Sequence, residues 1–142
     1  MMLRRLCGDR RGVTAVEFAI VASALITLSL GIMEAGLLFW AKATLEATAA
    51  LTARCGATGF TWGTTTCTTA ATTQSYAVST AGNWIAGSVI DAADVTVTSA
   101  ASSCNGVSGT FFIVTISCAF FAGLPAPLSN YTLSVTACYP QS

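Results

Sequence analysis

The feature that most constrains this chain is a long apolar run near its start. From Phe18 to Met33 the sequence reads FAIVASALITLSLGIM, sixteen residues without a charge. Extended from Val13 to Ala41, the run covers twenty-nine residues interrupted only by Glu17 and Glu34. A hydrocarbon core of ~30 Å needs about 20 helical residues, so this stretch is long enough to span a bilayer. Composition agrees, because only 8% of the 142 residues are charged and 54% are hydrophobic, whereas an ordinary soluble domain is roughly 25% charged. Arg4, Arg5, Arg10 and Arg11 oppose only Asp9, which makes a basic head of +3. The rest of the chain sets Lys42 and Arg54 against Glu17, Glu34, Glu46, Asp91 and Asp94, a body of −3. Basic residues before an apolar span place the N-terminus in the cytoplasm and the remainder outside. No basic face exists beyond the head, so no nucleic-acid partner is expected.

A cleaved secretory signal is the competing reading, with Ala41-Lys42-Ala43 as a small-x-small cleavage site. Signal h-regions run about 7–15 apolar residues, however, and this run is longer and carries acids.

The span begins Arg10-Arg11-Gly12-Val13-Thr14-Ala15-Val16-Glu17-Phe18. A basic stretch, a glycine, and an apolar helix with an acid five positions after that glycine resemble the cleavage motif of type IV prepilins. The resemblance implies a cut by a prepilin peptidase between Gly12 and Val13. The whole block RRGVTAVEFAIVASALITLSLGIMEAG is similar, more narrowly, to the TadE-like proteins of the tight-adherence (Flp-type) pilus system. It is dense over residues 10–40 and thin beyond them. Residues 1–12 then read as a removed cytoplasmic leader, taking Cys7 with it. The resemblance also implies the bacterial inner membrane, a periplasmic C-terminal domain, and partnership with other pilin or pseudopilin subunits and assembly proteins.

Glu17 has a physical reading of its own. An acid within hydrocarbon costs roughly 2.5–3.5 kcal/mol on insertion scales and usually has a partner. A cut after Gly12 exposes an α-amino group at Val13, one helical turn from Glu17 and close enough to pair with it. In pilin-like assemblies the implied partner is the amine of a neighbouring subunit; the alternative is a hydrated carboxylate at the cytoplasmic interface. Glu34 falls late in the span and either snorkels to water or acts in assembly. Ala15, Ala19, Ser23, Thr27, Gly31 and Ala35 recur every fourth position. Such rows let membrane helices pack closely, though small residues are common in membrane helices anyway.

Beyond Trp40 the segment AKATLEATAALTAR contains no breaker, so the helix is expected to continue as a stalk over residues 42–55, where Gly56 supplies a stop. Residues 56–142 form the expected head. Its first part, through 73, is threonine- and glycine-rich loop; then Ala77, Ala81, Trp84, Ile85 and Ser88 mark a short helix over Gln74–Val89. Period-two alternation follows in Asp94–Ser99, then a turn-rich link over Ser102–Gly109. A β-prone run over Thr110–Phe121, a break at Gly123–Pro127, and a third alternating run over Tyr131–Cys138 complete the chain. The expected fold is α+β and pilin-like: a long transmembrane and stalk helix (span 13–41) packed on a short helix and a three-stranded antiparallel meander.

Five cysteines lie beyond the leader, in a compartment that favours disulfides. Cys55 and Cys67 flank the loop after the stalk, and a bridge there pins it. Cys104 precedes the second strand and Cys138 ends the third, which brings both to one end of a meander. Cys118 is left as a buried small hydrophobe. The chain has no histidine and no Cys-x-x-Cys pair, so no metal, cofactor or catalytic site is expected. Asp91 and Asp94 fit a turn and a strand start, and the sequon at Asn130 has little meaning in a bacterium. Two function classes remain. One is a minor pilin or pseudopilin needed to assemble an adhesive pilus; the other is an unprocessed, membrane-anchored periplasmic binding module.

Overall fold

The computed structural model of the protein describes residues 11–59, 66–84, 90–120 and 131–141. The leader up to Arg10, Ile85 and Ser88 of the expected stripe, the Gly123–Pro127 break and Asn130 lie outside the described residues. Helix α1 (Arg11–Thr58) is followed by α2 (Ala70–Trp84), a 3-10 turn (Ala92–Asp94), and strands β1 (Val95–Cys104), β2 (Val107–Phe120) and β3 (Tyr131–Pro140). The strands form one antiparallel sheet in the order β1-β2-β3. The architecture is therefore α+β, with a long N-terminal helix, a short helix and a three-stranded meander.

The chain divides into two compact units, Met1–Leu37 and Leu38–Ser142. In the first, α1 is apolar on every side, and its large side chains, Phe18, Ile20, Leu25, Ile32 and Met33 among them, are all exposed. In the second, the sequence of α1 turns one-sided. Ala41, Leu45, Thr48, Ala49, Thr52 and Ala53 are buried at helical spacing, while Lys42 and Glu46 pair on the exposed side at 3.9 Å. That stripe joins Ala77 and Ala81 of α2 and the inward residues of the sheet, Val95, Phe112, Val114, Ile116, Leu133 and Val135, in one core. Alanines on the helices leave the volume to the β-branched and aromatic residues of the strands.

Two helix boundaries differ from the sequence expectation. The stalk helix does not stop at Gly56; it runs to Thr58, and Gly59 at φ 62° supplies the left-handed stop. Gly56 has a different task, because the ring of Phe112 occupies the space a β-carbon there would fill. Helix α2 begins at Ala70 rather than Gln74, out of a run expected to be loop. Thr69 and Thr72 explain the early start. Thr72 N–H donates to Thr69 Oγ1 at 3.2 Å and Thr69 N–H donates to Thr72 Oγ1 at 3.0 Å, a reciprocal cap. Gln74 Nε2 then ties α2 to the sheet through the Val95 carbonyl at 2.8 Å.

The link expected over Ser102–Gly109 shrinks to two residues. β1 extends to Cys104, β2 starts at Val107, and Asn105 (φ 49°) and Gly106 (φ 81°) make the turn between them. Positive φ at both central residues is the hairpin geometry whose twist matches the flanking strands. Asp91 and Asp94 close the turn before β1: Asp91 N–H donates to Asp94 Oδ2 and Asp94 N–H to the Asp91 carbonyl.

The Gly56 contact is directly testable. Gly56→Ala drives a methyl group into the Phe112 ring and should destabilise the head by about 1–3 kcal/mol, as overpacking does. Adding Phe112→Leu should restore part of the loss in a thermal melt of the detergent-solubilised protein. An unchanged melting temperature for Gly56→Ala alone would refute the contact.

Candidate functional site

Gly12 and Val13 lie in the first turn of α1, both on its exposed surface, and Glu17 follows one turn later. A β-carbon built on Gly12 meets nothing within 4 Å, so the fold does not require glycine there. Among the described residues no hydrogen bond or ion pair engages Glu17, whose carboxylate stands on a helix surrounded by exposed apolar side chains. Glu34 is half-buried, and its Oε1 is shielded without a hydrogen-bond partner among the described residues.

Between these two acids the small-residue row opens a shallow groove. Ser23, Thr27, Gly31 and Ala35 form its floor, and Ala24, Leu28 and Ile32 one wall. The hydroxyls in it are satisfied locally, since Ser23 Oγ donates to the Ile20 carbonyl at 2.9 Å and Thr27 Oγ1 to that of Ser23 at 2.8 Å. The hydroxyl protons are therefore already spent within the helix, and the open space at Gly31 admits another helix closely. The Leu28 and Ile32 wall escaped the sequence reading, which followed only the small residues; the row one position on would have exposed it.

In the head, disulfides join Cys55 to Cys67, with Cα atoms 5.6 Å apart, and Cys104 to Cys138 at 6.4 Å. The first ties the last turn of α1 to the approach of α2; the second lies at the end of the sheet where β1 and β3 both finish. Cys118 is unbridged and buried in the core face of β2. Burial, and then the nearby Asp94 carboxylate, push its thiol above the ordinary value. Among the described residues no three histidine, cysteine or acidic side chains gather as a metal site would need.

The length, composition and exposure of the apolar part of α1 decide what it can be. A core helix of a soluble domain is mostly buried, whereas the apolar window within Gly12–Thr58 has none of its residues buried. It fits a single-pass membrane anchor. A protein-family model, described as TadE-like protein, matches residues 12–54. This segment resembles the TadE-like proteins. No curated protein and no solved structure matches the chain. The TadE-like match takes in Gly12, Val13, Glu17 and the groove, and ends before Cys55.

The Cys118 environment carries a pH prediction. A thiol whose folded value is raised adds stability below the ordinary ~8.5, and that stability is lost as pH rises through it, because the unfolded chain ionises first. Iodoacetamide at mildly alkaline pH should therefore leave Cys118 unlabelled in the native protein and label it on unfolding. Cys118→Ala should flatten the fall in stability above that pH.

Proposed function

We propose that this chain is a minor pilin or pseudopilin of a tight-adherence pilus, anchored in the bacterial inner membrane with its head in the periplasm. The carrying observation is the exposed, all-round apolar helix of the TadE-like segment, with a glycine at its start and, five residues later, an acid without a partner among the described residues. The arginines before the span set the orientation. A prepilin peptidase cuts the Gly12–Val13 bond, which lies exposed in the first turn of α1. The amine released at Val13 is cationic, and the Glu17 carboxylate of a neighbouring subunit is its counter-charge. In hydrocarbon each group is costly alone, so the pair favours docking of one helix against another. The groove from Ser23 to Ala35 gives the incoming helix a place to pack. Pilus assembly, and through it surface adherence, is the outcome.

Two experiments check the reading. N-terminal sequencing of the membrane-extracted protein should find Val13, and Gly12→Leu, which the fold accommodates, should leave the precursor uncut. A mature start near Thr44 would establish a secretory signal, and retained Met1 an unprocessed anchor. Glu17→Gln should be inserted and cleaved normally, keep both disulfides, and yet fail to enter pili. Wild-type piliation by that variant would overturn the pairing role.

A further inference from the structure

From Val95 to Ser142 the chain carries no charged residue, so the whole sheet is neutral. Sheet edges are normally protected by charges, prolines or bulges against pairing with other strands. The two edges here differ. β1 is interrupted twice in its register, between Thr98 and Ala101 and again before Ser103, with Ala100 at φ 53°. β3 has no charge and no bulge, and its proline stands at its last position: it pairs with β2 without a shift from Tyr131 opposite Phe120 to Pro140 opposite Phe111.

The ladder shows which groups β3 presents. Gln141 N–H donates to the Thr110 carbonyl at 2.9 Å, continuing that register. Antiparallel pairing alternates, so Leu133, Val135, Ala137 and Tyr139 also turn their backbone groups toward β2. Thr132, Ser134 and Thr136 turn theirs to the free edge, where no described strand meets them. Their side chains do not compete for those groups, since Ser134 Oγ bonds Ser117 Oγ at 2.9 Å and Thr136 Oγ1 bonds Thr115 Oγ1 at 3.1 Å. Pro140, at an outward position, ends the usable edge.

We infer that the free edge of β3 pairs antiparallel with β3 of a second copy of this chain, centred on Ser134, joining two heads into one six-stranded sheet. The neutral strand favours an identical partner. A two-fold pair opposes each residue to itself or its symmetry mate, so any charge would meet its like, and Thr132–Thr136 carries none. The centring opposes Ser134 to Ser134 and Thr132 to Thr136, short of Pro140. This goes beyond the pilus role and requires neither cleavage at Gly12 nor Glu17.

The test is cross-linking of the full chain in its native membrane. Directly opposed residues of a hydrogen-bonded antiparallel pair have Cα atoms about 5.5 Å apart, within disulfide reach. Ser134→Cys should give a covalent homodimer under mild oxidation, while Thr98→Cys, exposed on the same sheet face, should not. Adding Thr136→Pro removes an outward N–H without touching the β2 ladder and should cut the dimer about tenfold or more. If Ser134→Cys misfolds, co-expressed Thr132→Cys and Thr136→Cys chains should cross-link to each other. Folded monomer alone, equal dimer from Thr98→Cys, or a cross-link to a different protein would each overturn the inference. Val13 as the mature N-terminus is read separately, so either proposal can fail without the other.

Discussion

The first half of α1 presents apolar side chains on every side, and no described part of the chain covers them. Each large aliphatic or aromatic side chain left in water forgoes roughly 1.5–3 kcal/mol of burial, and more than ten such residues stand exposed between Val13 and Met33. The folded chain cannot carry that surface in water. Cover by lipid tails or by other helices would relieve that cost, and the segment fits a single-pass membrane anchor. Such an anchor also explains why charge is scarce along the span, where even one acid needs a reason to be present.

The same helix does different work once its sequence becomes one-sided. From Ala41 to Ala53 the inward positions are mostly alanine and threonine, with Leu45 the largest. Small helical residues bring the strands close, and the strands answer with Val, Ile, Leu and Phe. At Gly56 the Phe112 ring takes the place that a β-carbon would fill. One side chain in the middle strand thereby dictates a residue type two positions before the helix ends.

Much of this was legible in the sequence because it rests on period. The apolar run, the alternation of DVTVTS and YTLSVTAC, and the β-prone segment between them announce one helix and three strands. The misjudged boundaries all depended on contacts that period does not report. Gly56 and Gly59 look equally able to stop a helix, and only the Phe112 ring distinguishes a packing glycine from a terminating one. Thr69 and Thr72 sit in a run that reads as loop until their mutual cap is seen. Asn105-Gly106 was absorbed into a longer link because serines and a glycine surround it, although that pair is the strongest short hairpin signal. Gly12 and Glu17 differ in kind. On the proposed reading their chemistry would be completed by molecules outside the chain, so the motif that singles them out lies in sequence, while Gly12 and Glu17 meet little among the described residues.

The Cys55–Cys67 bridge has a mechanical consequence. A pull transmitted along α1 reaches the last helical turn at Cys55, and the sulfurs hand it straight to the residues leading into α2. The residues between the two cysteines are bypassed. Tension is delivered to α2 beside the Thr69 cap, and Gln74 passes it on to the start of β1 through its bond to the Val95 carbonyl. In a filament that tugs on a surface, such a shunt would let the head resist extension as one piece instead of paying out chain from its weakest segment.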